Sequence, residues 1–163
     1  MSFIRQVSQT LDTEHRNALD VLGRLEQAIA RRSRATAQDA QFAALAGAFA
    51  RLVEHDIDAH FDFEERELFT RMHNAGDGDI ASLLQEEHEA IREAAAEVLP
   101  LARAAAAGSL PENDFDAFKR GVLEIVERQV SHIQKETMAL LPLLDDLLDD
   151  DTDRELSMAY AST

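Results

Sequence analysis

The sequence predicts an all-α protein: an antiparallel up-down-up-down four-helix bundle with a short C-terminal helix or tail. Three observations predict it. Apolar residues recur at three- and four-residue steps through four long segments. The composition is rich in Ala and Leu, with 6 Gly and 3 Pro in 163 residues, which favours helix over sheet. The connections are short, so consecutive helices are expected to be antiparallel neighbours.

The first helix begins near Ser8, carries Leu11, Ala18, Leu19, Leu22, Leu25 and Ile29, and runs down in RRSRAT, residues 31–36. The second starts behind Thr36 as N-cap and continues to about His73, where NAGDG stops it. The third starts near Asp79 and ends at AAAAGS, with Gly108 as its stop signal. The fourth opens with Pro111 in its first turn and runs at least to Leu141, where Pro142 disturbs it. A short amphipathic piece follows from Thr152, where T-D-R-E resembles a capping box closed by Glu155. One domain is expected over 1–163, with a core at about 8–145 and an acidic extension at 146–163. The stretch DDLLDDDTD, residues 145–153, is expected to be solvated.

Charge and composition exclude several function classes. The chain has 32 Asp+Glu against 16 Lys+Arg, a formal charge of −16. Such a surface repels nucleic acid and anionic lipid, so neither is expected as a partner. There is no cysteine, which removes disulfides, thiolate zinc sites and cysteine-held iron–sulfur clusters. The N-terminus MSFIRQVSQT lacks an apolar h-region, and no apolar run is long enough to span a membrane. The expected location is therefore the cytoplasm.

The chain also repeats itself. TEHRNALDVL (13–22) aligns with EEHEAIREAA (86–95), and HFDFEERELF (60–69) aligns with HIQKETMALL (132–141). His15 and His88 are 73 residues apart, and His60 and His132 are 72 apart. Each half is a helical hairpin with a lone histidine on its first helix and an HxxxE on its second.

Residues i and i+4 lie on one helix face, about 40° apart in projection and about 6 Å apart along the axis. His60 with Glu64 and His132 with Glu136 can thus converge in the bundle core, joined by His15 and His88. Four imidazoles and two carboxylates suit two divalent ions, with Glu64 and Glu136 bridging and two histidines on each ion. The carboxylate charges offset repulsion between the ions in a low-dielectric core. At least one position on each ion stays open for a bridging oxygen or an exogenous ligand. Nitrogen and oxygen donors without sulfur suit iron, manganese or zinc, and open positions favour redox-active iron. A single HxxxE is commonly a surface pair. Four histidines and two glutamates meeting without metal would be costly to desolvate. The Glu-x-x-His of ferritin-like bundles is absent, since Asp12, Ile57, Gln85 and Gln129 stand three residues before the four histidines. HExxH is absent as well, because Arg92 stands where the second histidine would be needed.

His15, His60-x3-Glu64, His88 and His132-x3-Glu136 resemble the ligand pattern of the hemerythrin-like, or HHE cation-binding, domain. The resemblance spans roughly residues 8–145 and implies a non-haem di-iron centre of two iron ions, oxo- or hydroxo-bridged. His15 and His60 would hold one iron and His88 and His132 the other, with both glutamates bridging. Oxygen-carrying hemerythrins have HxxxH on the third helix, where this sequence has Arg92. Their fourth-helix carboxylate is an Asp five residues after the histidine, against Glu136 at four here. The resulting site is more open and more symmetric, which argues against simple oxygen carriage. The four-histidine, two-glutamate form is similar to the iron-centre repair proteins of nitrosative stress. Those usually carry a cysteine-containing N-terminal domain, which this sequence lacks.

Several neighbours call for a role. Asp56 and Arg128 stand four residues before His60 and His132 and either pair across helices, orienting the ligands, or point to solvent. Arg92 either hydrogen-bonds an anion on the metal or reaches to the rim. Glu67 falls near the ligand face, and Glu65 is expected to be solvated. Phe61, Phe63, Phe69 and Leu140 are core residues that could wall a small-ligand pocket. His55 lies about 140° from His60 around the helix and is not expected to ligate, and His73 reads as a C-terminal cap.

The expected function is a non-haem di-iron protein that binds or reacts with a small oxidant, whether dioxygen, peroxide or nitric oxide, in stress response or sensing. The partner is then a small diatomic or peroxide ligand. Two other readings remain at this level: an iron storage or donation protein for iron-centre repair, and a zinc-stabilised structural bundle.

Overall fold

The computed structural model describes residues 2–31 and 39–163, and no strand occurs among them. Helix α1 spans Gln6–Arg31. Helix α2, Ala40–His55, starts behind Asp39, whose carboxylate accepts the Phe42 backbone N–H at 2.7 Å. The expected cap at Thr36 lies outside the described residues. The helical path then runs through two π-turns, Asp56–Phe61 and Glu64–Phe69, into α3, Thr70–Asn74. His73 lies in the last turn of α3, and Gly76 (φ 93°) reverses the chain as only glycine does comfortably.

Helix α4, Gly78–Ala106, passes through Pro100 without ending. Gly108 (φ 69°) closes it, its N–H reaching the Ala105 carbonyl while Ser109 N–H reaches that of Ala104. After Pro111 a short 3₁₀ turn leads into α5, Phe115–Lys135. A third π-turn, Glu136–Leu140, joins α5 to α6, Leu141–Leu147. The expected disturbance at Pro142 is absorbed there. A π-turn shifts bonding to i+5, so a missing N–H at i+4 is less costly. The path breaks at the extended Leu148.

Helix α7, Asp150–Ala161, is capped by Asp149, which accepts the Thr152 N–H at 2.7 Å. It therefore begins before the expected Thr152. Nor is the acidic stretch simply solvated. Asp145 accepts the N–H groups of Ile4 and Arg5 at 2.8 and 2.9 Å, and the buried Asp153 accepts those of Gln6 and Val7 at the same distances. These N–H groups have no partner within α1, and its dipole favours negative charge at this end. The C-terminal acids are the cap of the N-terminal helix.

Helix α1 packs on α2 and α5, and α4 packs on the same two, closing a ring of four. Helices α6 and α7 lie on α1. Gly121 lets α5 approach α4 closely, since a Cβ there would lie 2.7 Å from Val98 Cγ2. Two apolar clusters form the core. One gathers Leu22, Leu25, Phe42, Phe49, Ile91, Phe118 and Val126, and the other Val7, Leu11, Phe63, Phe69, Leu84 and Leu140. Each of the four histidines stands, along its own helix, between residues of the two clusters. Among the described residues no helix is long and apolar enough to cross a membrane.

Candidate metal centre

Between those clusters the structure brings all six predicted side chains together. His15, His60, Glu64 and Glu136 form one group, and Glu64, His88, His132 and Glu136 form another, with donor atoms in each group within 4.8 Å of one another. All six are buried, Glu64, Glu136 and His88 completely.

The four histidines present Nε2 to the cluster. On the first side, His60 Nε2 lies 2.5 Å from Glu64 Oε1, and His15 Nε2 lies 2.9 Å from Glu136 Oε2. On the second, His88 Nε2 lies 3.2 Å from Glu64 Oε2, and His132 Nε2 meets Glu136 Oε1. Each carboxylate therefore turns one oxygen to each pair of histidines.

Glu64 Oε1 and Oε2 and Glu136 Oε1 nevertheless have no hydrogen-bond partner, although they are buried among nitrogens. Apart from the contacts of His15 Nε2 with Glu136 Oε2 at 2.9 Å and of His88 Nε2 with His132 Nε2 at 3.0 Å, the inner nitrogens and oxygens crowd together without hydrogen-bonding, as donors aimed at common points between them do. Orphaned buried carboxylate oxygens are otherwise too costly to keep. The donor set thus fits two cations.

The outward nitrogens have partners of their own. His60 Nδ1 lies 2.8 Å from Glu14 Oε2, His88 Nδ1 lies 2.9 Å from Glu65 Oε1, and His132 Nδ1 lies 2.8 Å from Glu87 Oε2. His15 Nδ1 lies 3.2 Å from Thr137 Oγ1. Such contacts fix ring orientation and tautomer and raise the basicity of the inner nitrogen. Each carboxylate is anchored in turn: Glu14 by Tyr160 and His55, Glu65 by Arg92, and Glu87 by Lys135.

Electrostatics follow from this packing. Burial works against protonation of His132, but the charge of the adjoining Glu136 carboxylate, with Glu87 on the outward nitrogen, outweighs it and raises it to about 10. His60 and His88 are raised for the same reasons against the same penalty. Glu136 falls well below the usual carboxylate range, since the His132 charge overcomes its burial. Burial likewise raises Glu14, but bonds from His60 and Tyr160 take it down to about 2. Asp56 goes the other way. Burial lifts it to about 6 against the pull of His60 and His55.

One expectation needs correction, and the open roles of Arg92, Asp56 and Arg128 are decided. Glu65 is not solvated, because it bridges His88 and Arg92. Arg92 does not reach the cluster. It grips both Glu65 oxygens at 2.7 and 3.1 Å and lies 5.7 Å from the Phe61 ring centre. Asp56 and Arg128 do not pair. Asp56 takes the Gln129 amide N–H at 3.0 Å, and Arg128 pairs with Glu124 on its own helix. Glu67 is half-buried and outside both donor groups.

Phe61 stacks on His88 at 3.8 Å, and Phe63 packs on Tyr160. Phe69 and Leu140 belong to the second apolar cluster. Of the four predicted wall residues only Phe61 lines a cavity of about 10 Å³ beside the cluster, with His15, His60, His132, Asp56, Gln129 and Glu136 among its other walls.

Glu14, Glu87, Thr137, Tyr160 and Gln129 were not singled out from sequence. A signal existed for two of them, because the repeat places Glu immediately before both lone histidines, in TEH and EEH.

Fold and site together define a cation-binding helical bundle. The family model described as the hemerythrin HHE cation binding domain matches residues 6–144, and the chain belongs to this family. No curated protein matches the sequence.

Proposed function

We propose that the chain holds two iron ions through His15, His60, His88, His132 and the shared Glu64 and Glu136, and reacts with a small oxidant beside them. The observation behind this reading is the pair of buried carboxylates, each turning one oxygen to each histidine pair with three of the four oxygens unpartnered. Ferrous ions in such a site would supply the electrons that an oxidant takes up. The protein's part is positional. Glu14, Glu65, Glu87 and Thr137 hold the four rings, and the two apolar clusters exclude bulk water. The cavity has room for about one water-sized molecule, which favours dioxygen, nitric oxide or peroxide over any organic substrate. Asp56, bonded to Gln129 at its wall, is placed to hold or release a proton there. The order in which each long helix meets the two apolar clusters supports the up-down-up-down arrangement.

Anaerobic loading with ferrous iron, metal analysis and admission of air test the reading. Two irons per chain and new visible absorption on oxidation are expected. A colourless protein carrying two zinc ions from its native host would refute it. Glu64→Ala should lose the paired ions, and retention of both at full affinity would refute the shared role of that carboxylate.

A further inference from the structure

The internal repeat extends to the partners of the outward nitrogens, and it is broken at one position. Glu14 precedes His15 and faces His60, and Glu87 precedes His88 and faces His132. Glu65 follows Glu64 and faces His88, and Thr137 follows Glu136 and faces His15. Three of the four partners are carboxylates at 2.8–2.9 Å, and the fourth is a hydroxyl at 3.2 Å.

A carboxylate opposite Nδ1 pushes electron density toward the inner nitrogen, while a neutral hydroxyl does so far less. Changing such a partner typically alters metal affinity about 10- to 100-fold. Arg92 and Lys135 temper Glu65 and Glu87 from behind. Each nevertheless keeps an anionic oxygen on its ring, and Thr137 has none to offer. Surroundings point the same way. His88 is fully buried, stacked on Phe61 with Phe69 also against it, and stays out of the cavity, which both His15 and His60 line while His132 alone reaches it from the other half.

We infer that the two halves of the centre are unequal: the His88/His132 half fills first, the His15/His60 half fills last and releases its ion first, and Thr137 is the positioning residue that sets the difference. This rests on the six residues being the metal ligands. The exchangeable ion is then the one whose two histidines both line the cavity.

Titrating the metal-free full chain with Co²⁺, followed by its visible bands and by calorimetry, tests this without reference to turnover. Two steps about tenfold or more apart are expected. His15→Ala should remove the weaker step and keep the tighter one, and His88→Ala should remove the tighter. Thr137→Glu should strengthen the weaker step about tenfold, drawing the two together. One unresolved two-ion step, or loss of the tighter step in His15→Ala, would overturn the inference and leave the metal centre standing. Uptake of no Co²⁺ would overturn both. Should Thr137→Glu fail to fold, the wild-type titration and the histidine variants decide.

Discussion

Tyr160, near the C-terminus, donates its hydroxyl at 2.5 Å to Glu14 Oε2, the same oxygen that lies 2.8 Å from His60 Nδ1. The last helix thereby touches the metal centre through one carboxylate. Tyr160→Phe keeps the ring on Phe63 and removes only the hydroxyl. Affinity at the His15/His60 half should fall, by up to about tenfold, with about 1–2 kcal/mol lost from the fold. Metal titration and urea melts read the two effects separately, and an unchanged affinity would confine Tyr160 to packing.

Asp153 caps α1 from the far end of the chain. Its replacement by Ala leaves the Gln6 and Val7 N–H groups in a partly buried place without partners. A loss of about 1–2 kcal/mol is expected, read as a lower urea midpoint at unchanged slope. A change smaller than about 0.5 kcal/mol, the usual range for surface substitutions, would mean that water replaces the cap.

Without metal, protons take the place of cations. His60, His88 and His132 are raised by the Glu64 and Glu136 carboxylates despite burial, His132 to about 10. Their contribution to stability is complete below the ordinary histidine range and fades as pH rises toward 10. Ligation needs the neutral rings, so metal uptake at pH 7 should expel up to three protons and strengthen as pH rises. Calorimetry in two buffers of different ionisation enthalpy measures the number. No buffer dependence would contradict these shifts.

Asp56 adds to the same loss of stability with rising pH, through burial rather than through a partner. Burial lifts its carboxyl from 3.8 to about 6, so the folded chain binds this proton more readily than the unfolded one. Stability is therefore lost as pH rises between these values, by about 3 kcal/mol once both states are ionised. Asp56→Asn should make the metal-free chain more stable at pH 7.5, by about 1–3 kcal/mol, and nearly neutral at pH 4. Parallel denaturation curves at the two pH values test it, and equal effects at both would defeat it.

How far the sequence could be read follows from the range of the contacts involved. His15, His60, Glu64, His88, His132 and Glu136 were legible because a helical hairpin repeats with nearly constant spacing. Helix ends at Gly76 and Gly108 were legible because glycine conformations are local. The caps at Asp145 and Asp153 act on residues about 140 positions away, and helical periodicity carries no trace of such contacts. Glu65 was missed for a subtler reason. Regular α-helix turns it away from the face of Glu64, but the π-turn that begins at Glu64 alters the angular spacing and lets it meet His88. The break in symmetry at Thr137 is visible in the letters, yet it acquires meaning only once His15 is seen beside it.

With two cations bound as proposed, each hairpin would supply both imidazoles for one cation and a single carboxylate to the cation of the other. Glu64 reaches from the first hairpin toward His88, and Glu136 from the second toward His15. Cations held there would be rivets between two half-proteins, joined covalently only through the turn at Gly76. A chain cut at that turn would offer two fragments that each lack one carboxylate for their own ion, and metal would be what obliges them to find each other.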